Sequence, residues 1–130
     1  MAISFNHTIV AARNREESAN YFTDVFGLAP AQEFGPFLAV TVEHGVSLDF
    51  AQAPDDQDIH PQHYAFLVDE ADFDAIYDRI VRRGQRHWAD PRGARPGEIN
   101  HHDGGRGGVY FQDPSGHYLE IITRPYGSGG

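Results

Sequence analysis

One layout occurs twice along this chain, and that repetition restricts the possible folds more than any other feature. A His-led apolar run, His7-Thr8-Ile9-Val10, passes through a polar break and an amphipathic stretch to Val25-Phe26-Gly27-Leu28. A second His-led run, His63-Tyr64-Ala65-Phe66-Leu67-Val68, passes through Asp72-Phe73-Asp74-Ala75-Ile76-Tyr77 to Arg83-Gly84. The closing segments correspond more tightly. Gly45-Val46-Ser47-Leu48-Asp49-Phe50-Ala51-Gln52-Ala53-Pro54 lies over Gly116-His117-Tyr118-Leu119-Glu120-Ile121-Ile122-Thr123-Arg124-Pro125, with Gly, Leu, an acid and Pro coinciding. Each half therefore opens on an apolar run carrying a histidine and closes on one carrying a carboxylate.

Local patterns place the elements. Residues 3–11 are rich in Ile, Val, Phe and Thr and read as a strand. The spacing of Ala19, Phe22, Val25 and Phe26 predicts a helix over 15–26 with one apolar face. Asn14 suits its N-cap, Glu16 and Glu17 suit the positive end of its dipole, and Gly27 suits its stop. Residues 37–42 and 46–51 form a hairpin turned at Glu43-His44-Gly45, and 53–62, with Pro54 and Pro61, connect the halves. A strand at 63–68 leads to a helix over 72–83, with Phe73, Ile76, Tyr77 and Ile80 inward and Gly84 at its end. A short strand follows at 85–89, then a loop at 90–106. Strands at 108–112 and 117–123 are joined through Asp113-Pro114-Ser115-Gly116, a sequence suited to a turn. The fold class is α+β, with βαβββ order twice. The expected organisation is a single domain over 1–130, with module one at about 3–54 and module two at about 63–125, a size that one shared core accommodates.

Composition removes several chemistries. With no cysteine there is no disulfide, thiolate metal site or cysteine nucleophile. No apolar run approaches the ~20 residues of a membrane helix, and residues 1–7 lack the pattern of a signal peptide. A formal net charge of −9 argues against nucleic acid, whose binders need a basic face. The densest cationic stretch, Arg79, Arg82, Arg83 and Arg86, reads as the solvated side and end of a helix. A cytoplasmic protein with no nucleic-acid or membrane partner is expected. Eight histidines are many for such a chain, and their placement matters most.

Two stretches carry a family resemblance: Glu17-Ser18-Ala19-Asn20-Tyr21-Phe22-Thr23-Asp24-Val25-Phe26-Gly27-Leu28, and Val109-Tyr110-Phe111-Gln112-Asp113-Pro114-Ser115-Gly116-His117-Tyr118-Leu119-Glu120. With the doubled order, the chain resembles the vicinal oxygen chelate superfamily, which includes glyoxalase I, extradiol dioxygenases, fosfomycin resistance enzymes and bleomycin resistance proteins. The resemblance implies two modules forming a cup-shaped mixed sheet. It also implies inward metal ligands from the first and last strand of each module, which fall on His7, Asp49, His63 and Glu120. The repeat singles out the same four positions. Two imidazoles and a carboxylate on one octahedral face leave positions for a bidentate substrate or for substrate plus dioxygen. A glutamate inside Leu119-Glu120-Ile121-Ile122 calls for a cation. Asp49 is one methylene shorter than the glutamate of four-ligand relatives. It either binds directly, binds through water, or hydrogen-bonds a ligand.

The remaining histidines divide less clearly. His44 falls in a turn, His60 in the connector and His87 beside Trp88, while His117 is an odd step from Glu120 and so faces the other side. The glycine-rich stretch Asn100-His101-His102-Asp103-Gly104-Gly105-Arg106 offers a base in His102 and an anion partner in Arg106, or is simply a solvated loop. By the resemblance, Tyr110 lines the pocket.

The implied activity is divalent-metal-dependent, with Fe(II) favoured and Mn, Ni or Zn as alternatives. The leading expectation is an Fe(II)-type dioxygenase or oxygenase acting on a phenolic or polycyclic aromatic small molecule. The aromatics Phe37, Phe50, Phe66, Tyr110, Phe111 and Tyr118 are available to line such a pocket. A glyoxalase I-like lyase or isomerase, with Asp49 as fourth ligand, stays open. So does non-catalytic sequestration of a cationic drug, which the acidic charge suits. A phosphonate substrate is disfavoured, because no Lys/Arg cluster would hold it. The resemblance further implies a homodimer with shared sites, His7 coming from one subunit and His63 with Glu120 from the other.

Overall fold

The repeat is realised as two small mixed sheets, each with its own helix. The structure, a computed structural model, describes residues 2–90, 95–99 and 108–125. The chain divides into two compact units, Met1–His60 and Pro61–Gly130.

In the first unit the order is β1 (His7–Ala12), α1 (Arg15–Phe26), β2 (Gln32–Phe34), β3 (Phe37–Thr41) and β4 (Ser47–Gln52). The spatial order is β1-β4-β3-β2, with β1 parallel to β4 and the remaining pairs antiparallel. The last strand thus lies in the interior of the sheet, beside the first. α1 begins where Asn14 is extended and its side chain accepts the Glu17 N–H at 3.0 Å. It ends at Gly27, whose φ of 70° is left-handed and favours glycine. Phe22 ties helix to sheet: it stacks on Phe26 at 4.2 Å between centroids and meets Phe50 of β4 at 6.0 Å. Val10, Ala12, Val40, Leu48 and Phe50 are buried with it. Each such large side chain stabilises the unit by roughly 2 kcal/mol.

The differences from the sequence expectation are local. β1 begins at His7 rather than residue 3, and residues 2–6 are exposed, although Asn6 O accepts the Ser47 N–H at 3.0 Å. The three-residue β2 is too short for alternation to reveal it. The Glu43-His44-Gly45 turn forms one 3₁₀ turn, with His44 at φ 65°.

In the second unit the order is β5 (His63–Leu67), α2 (Glu70–Arg82), β6 (Val109–Gln112) and β7 (Tyr118–Ile122). The spatial order is β5-β7-β6, parallel then antiparallel. Again the last strand is interior and parallel to the first. α2 starts two residues earlier than its apolar pattern predicts, because Asp69 caps it by accepting the Asp72 N–H at 2.7 Å. Phe73, Ile76 and Ile80 are buried, as are Val109, Phe111, Leu119 and Ile121. The strand expected at 85–89 is reduced to a bridge at Trp88, which pairs with Tyr110 and with Pro96. Parts of the 90–106 loop lie outside the described residues.

The β6–β7 turn is locked by Asp113. Its Oδ1 accepts the N–H of Ser115 at 3.0 Å and of His117 at 2.8 Å, and Gly116 takes φ 92°. Burial lifts the Asp113 carboxyl above the ordinary aspartate range, against the opposing pull of the His117, Ser115 and Gly116 N–H groups and the His117 ring. A carboxyl raised on folding loses stability as pH climbs from its unfolded value to its folded one. Asp113→Asn keeps the Oδ1 acceptor and removes the charge. We expect Asp113→Asn to match the parent's melting temperature near pH 4 and to gain on it towards pH 8; Asp113→Ala, which also loses both N–H acceptances, should fall below the parent at either pH. Thermal melts at the two pH values test this.

Candidate metal centre

Parallel pairing of first and last strand brings histidine and carboxylate onto one face in both units. In the second, His63 pairs with Tyr118 and Ala65 with Glu120, so His63 and Glu120 share the face turned away from Leu119 and Ile121. In the first, His7 pairs with Ser47 and Ile9 with Asp49. The offset is identical: each carboxylate stands two residues beyond the partner of the histidine.

The second unit brings its pair into contact. Glu120 is 1% exposed, and its Oε1 accepts from His63 Nε2 at 2.9 Å. Tyr110 lies directly opposite Glu120 on β6, and its ring is 6.0 Å from that of His63. A nitrogen and an oxygen each about 2.1 Å from one ion at right angles stand about 3 Å apart. The observed separation matches that edge, so this pair fits a divalent metal.

The first unit differs through one methylene. Asp49, 4% exposed, is engaged by the Ser47 hydroxyl at 2.9 Å rather than by His7. His7 is exposed, and its Nδ1–H donates to Asn6 Oδ1 at 2.7 Å. That bond fixes the ring and leaves the Nε2 lone pair available to a cation. Within either unit, among the described residues, no three His, Asp or Glu side chains gather as a metal-binding group.

The other sequence-derived residues are placed as follows. His102 and Arg106 lie outside the described residues, as does His101. Of the six aromatics expected to line a pocket, Phe50, Phe66 and Phe111 fall on the opposite side of their sheets from the donors, and Phe37, Tyr110 and Tyr118 fall on the donor side. Strand alternation alone makes that division. His87 is used within its unit: Nε2 meets the Tyr77 hydroxyl at 3.2 Å and Nδ1 meets the Gln85 carbonyl at 3.0 Å.

Sequence reasoning missed His117 as a clamp. It is 1% exposed, and its Nδ1 accepts the backbone N–H of Gln62 at 3.0 Å. Gln62 O in turn accepts the Tyr118 N–H at 2.8 Å. The residue before His63 is therefore fastened to the start of the strand that carries Glu120. Tyr64 stands edge-on to His117 at 5.8 Å, and burial, then the Asp113 carboxylate, raises its phenol above the usual value. The signal was present in the sequence, since an odd step from Glu120 places His117 in the apolar side of the sheet.

Comparison with known proteins finds a family and several relatives. The family model described as "Glyoxalase/Bleomycin resistance protein/Dioxygenase superfamily" matches residues 4–121. Two solved structures are each 55% identical to this chain. "Oxidase ChaP-H1" has a TM-score of 0.92, covering 98% of this chain and 100% of its own. "Oxidase ChaP-H2" has a TM-score of 0.94, covering 100% of both chains. "Metallothiol transferase FosB" of Shouchella clausii is 29% identical over 127 residues, 95% of this chain and 82% of that protein.

Replacing His117 by Leu strands the Gln62 N–H, at a cost of about 1–3 kcal/mol. His117→Asn restores an acceptor in the place of Nδ1 and should recover most of it. Urea denaturation of the two variants, without added metal, reads the difference.

Proposed function

The chain belongs to the Glyoxalase/Bleomycin resistance protein/Dioxygenase superfamily, and from that membership we propose that it is a metal-dependent oxygenase acting on a phenolic or polycyclic aromatic small molecule. The observation that carries this reading is 55% identity, end to end, with two solved proteins named as oxidases. The relative named as a metallothiol transferase, at 29% identity, supports metal use across a wider range of reactions.

In this proposal His63 and Glu120 of one subunit and His7 of the partner subunit hold a divalent ion, with Fe(II) favoured over Mn, Ni or Zn. The ion would supply a Lewis acid for two adjacent substrate oxygens and, as iron, electrons for dioxygen chemistry. Asp49 supports a three-donor set over the four-donor glyoxalase arrangement, because its Oδ1 already accepts from Ser47. Sequestration without catalysis is the weaker reading, since the imidazole–carboxylate pair is retained.

The chain's own groups divide the remaining work. The buried Glu120 carboxyl stands beside His63, a pairing that suits a cation there better than water. Tyr110, directly across from Glu120, presents a phenol that orients an oxygen of the bound substrate. His102 is assigned proton removal from a substrate hydroxyl, and Arg106 the pairing of an anionic substrate group; both assignments come from the sequence. A cytoplasmic homodimer completes the reading.

Glu120→Gln keeps the shape and removes the charge. Metal content, measured by elemental mass spectrometry, should fall from about one ion per chain to below about a tenth of that, and oxygen uptake with a panel of catechols and quinols should vanish. Retained metal would overturn the proposal. Shared sites have a separate test. His7→Ala and Glu120→Gln proteins, each inactive alone, form one intact site per mixed dimer. After unfolding and refolding together they should recover about one quarter of parental oxygen uptake. No recovery would place all three donors in one chain.

A further inference from the structure

Across the second sheet, a row of side chains continues beyond the donor pair. Glu120 on β7 faces Tyr110 on β6, and Tyr110 faces Trp88 through two backbone hydrogen bonds of 2.9 and 2.8 Å. Residues directly opposite each other in such ladders project to the same side, so Trp88 shares the face of Glu120, Tyr110 and His63. Two strand spacings of about 4.8 Å put Trp88 about 10 Å from Glu120. Trp88 is half-buried. Arg86 lies two residues earlier, with its guanidinium carbon 5.3 Å from the Trp88 ring centroid.

Arg86 is exposed and is held by an aromatic ring rather than by an acid. The formal net charge is −9, and nearby Arg82 pairs with Asp78 at 2.7 Å. Among the described residues, Arg86 has the Trp88 ring as its contact and no carboxylate. Stacking holds a guanidinium in place without using its N–H donors in the plane of the group. A fixed, solvent-facing arginine with unspent donors recognises an anionic oxygen, and the neighbouring indole and phenol recognise a flat apolar ring.

We propose that Arg86 and Trp88 form a distal recognition subsite that selects a planar aromatic carrying an anionic oxygen at its far end, across Tyr110 from the atoms presented to His63 and Glu120. The inference rests on the proposed aromatic substrate and narrows it: a fused-ring acid or ionised phenol fits, whereas a neutral ring of equal size loses the Arg86 contact. The near end meets the imidazole–carboxylate pair, the middle lies along Tyr110, and the charged end reaches Arg86.

Trp88 is the sole tryptophan of the chain, so its fluorescence reports directly on this subsite. The probes are 6-hydroxy-2-naphthoate and its neutral analogue 6-hydroxy-2-naphthamide. Each is titrated into protein as purified and into protein dialysed against chelator, with N-acetyltryptophanamide as the optical control. In both preparations the carboxylate should quench Trp88 with a Kd about fivefold or more below that of the amide. Arg86→Met should bring the two Kd values together without moving the melting temperature. Trp88→Ala should weaken both probes, read by calorimetry. Glu120→Gln should keep the carboxylate preference, so failure of the metal reading and failure of this subsite are separable. Equal Kd values in the parent, a preference that survives Arg86→Met, or a preference lost on chelation would each overturn the proposal.

Discussion

A carboxylate 1% exposed in the middle of a β-strand needs a partner, and the second unit supplies one through its strand pairing. A carboxyl buried among apolar neighbours calls for a positive or hydrogen-donating partner. The His63 imidazole at 2.9 Å meets that need, and the strand register that delivers it follows from parallel pairing of β5 with β7. The His117–Gln62 clamp fixes the same register from the opposite side of the sheet.

The two units show how a repeat diverges without losing its frame. Both keep the same offset between histidine and carboxylate. Glu120 has the reach to meet His63, whereas Asp49 turns to Ser47, two residues back on its own strand. His7 is tethered through Nδ1 to Asn6 Oδ1.

Much of this was legible in the sequence. The α1 boundaries follow from Asn14 and Gly27, whose roles are local and depend on a few neighbouring atoms. The doubled His and acid positions follow from the repeat. Pairing was harder to read. β2 spans three residues, too few for alternation to announce it, and the strand expected at 85–89 shrinks to a bridge at Trp88 whose pairing depends on Tyr110, twenty-two positions away. The side of the sheet taken by Phe50, Phe66 and Phe111 was available from alternation once a reference residue was fixed. The roles of Ser47, Asn6 and Gln62 were not, because each depends on a single contact that composition does not signal.

The placement of β4 and β7 has a consequence for how the molecule is made. In each unit the last strand synthesised is inserted between neighbours that emerged earlier: β4 between β1 and β3, and β7 between β5 and β6. Until it arrives, β1 and β5 have no strand to pair with among those of their sheets, and the loop to be closed spans most of the unit. A ribosome stalled before residue 118 would hold a second half whose sheet cannot assemble, with the apolar faces of β5 and β6 open to chaperones and to aggregation. The strand that brings the buried acid is therefore also the one that completes the sheet.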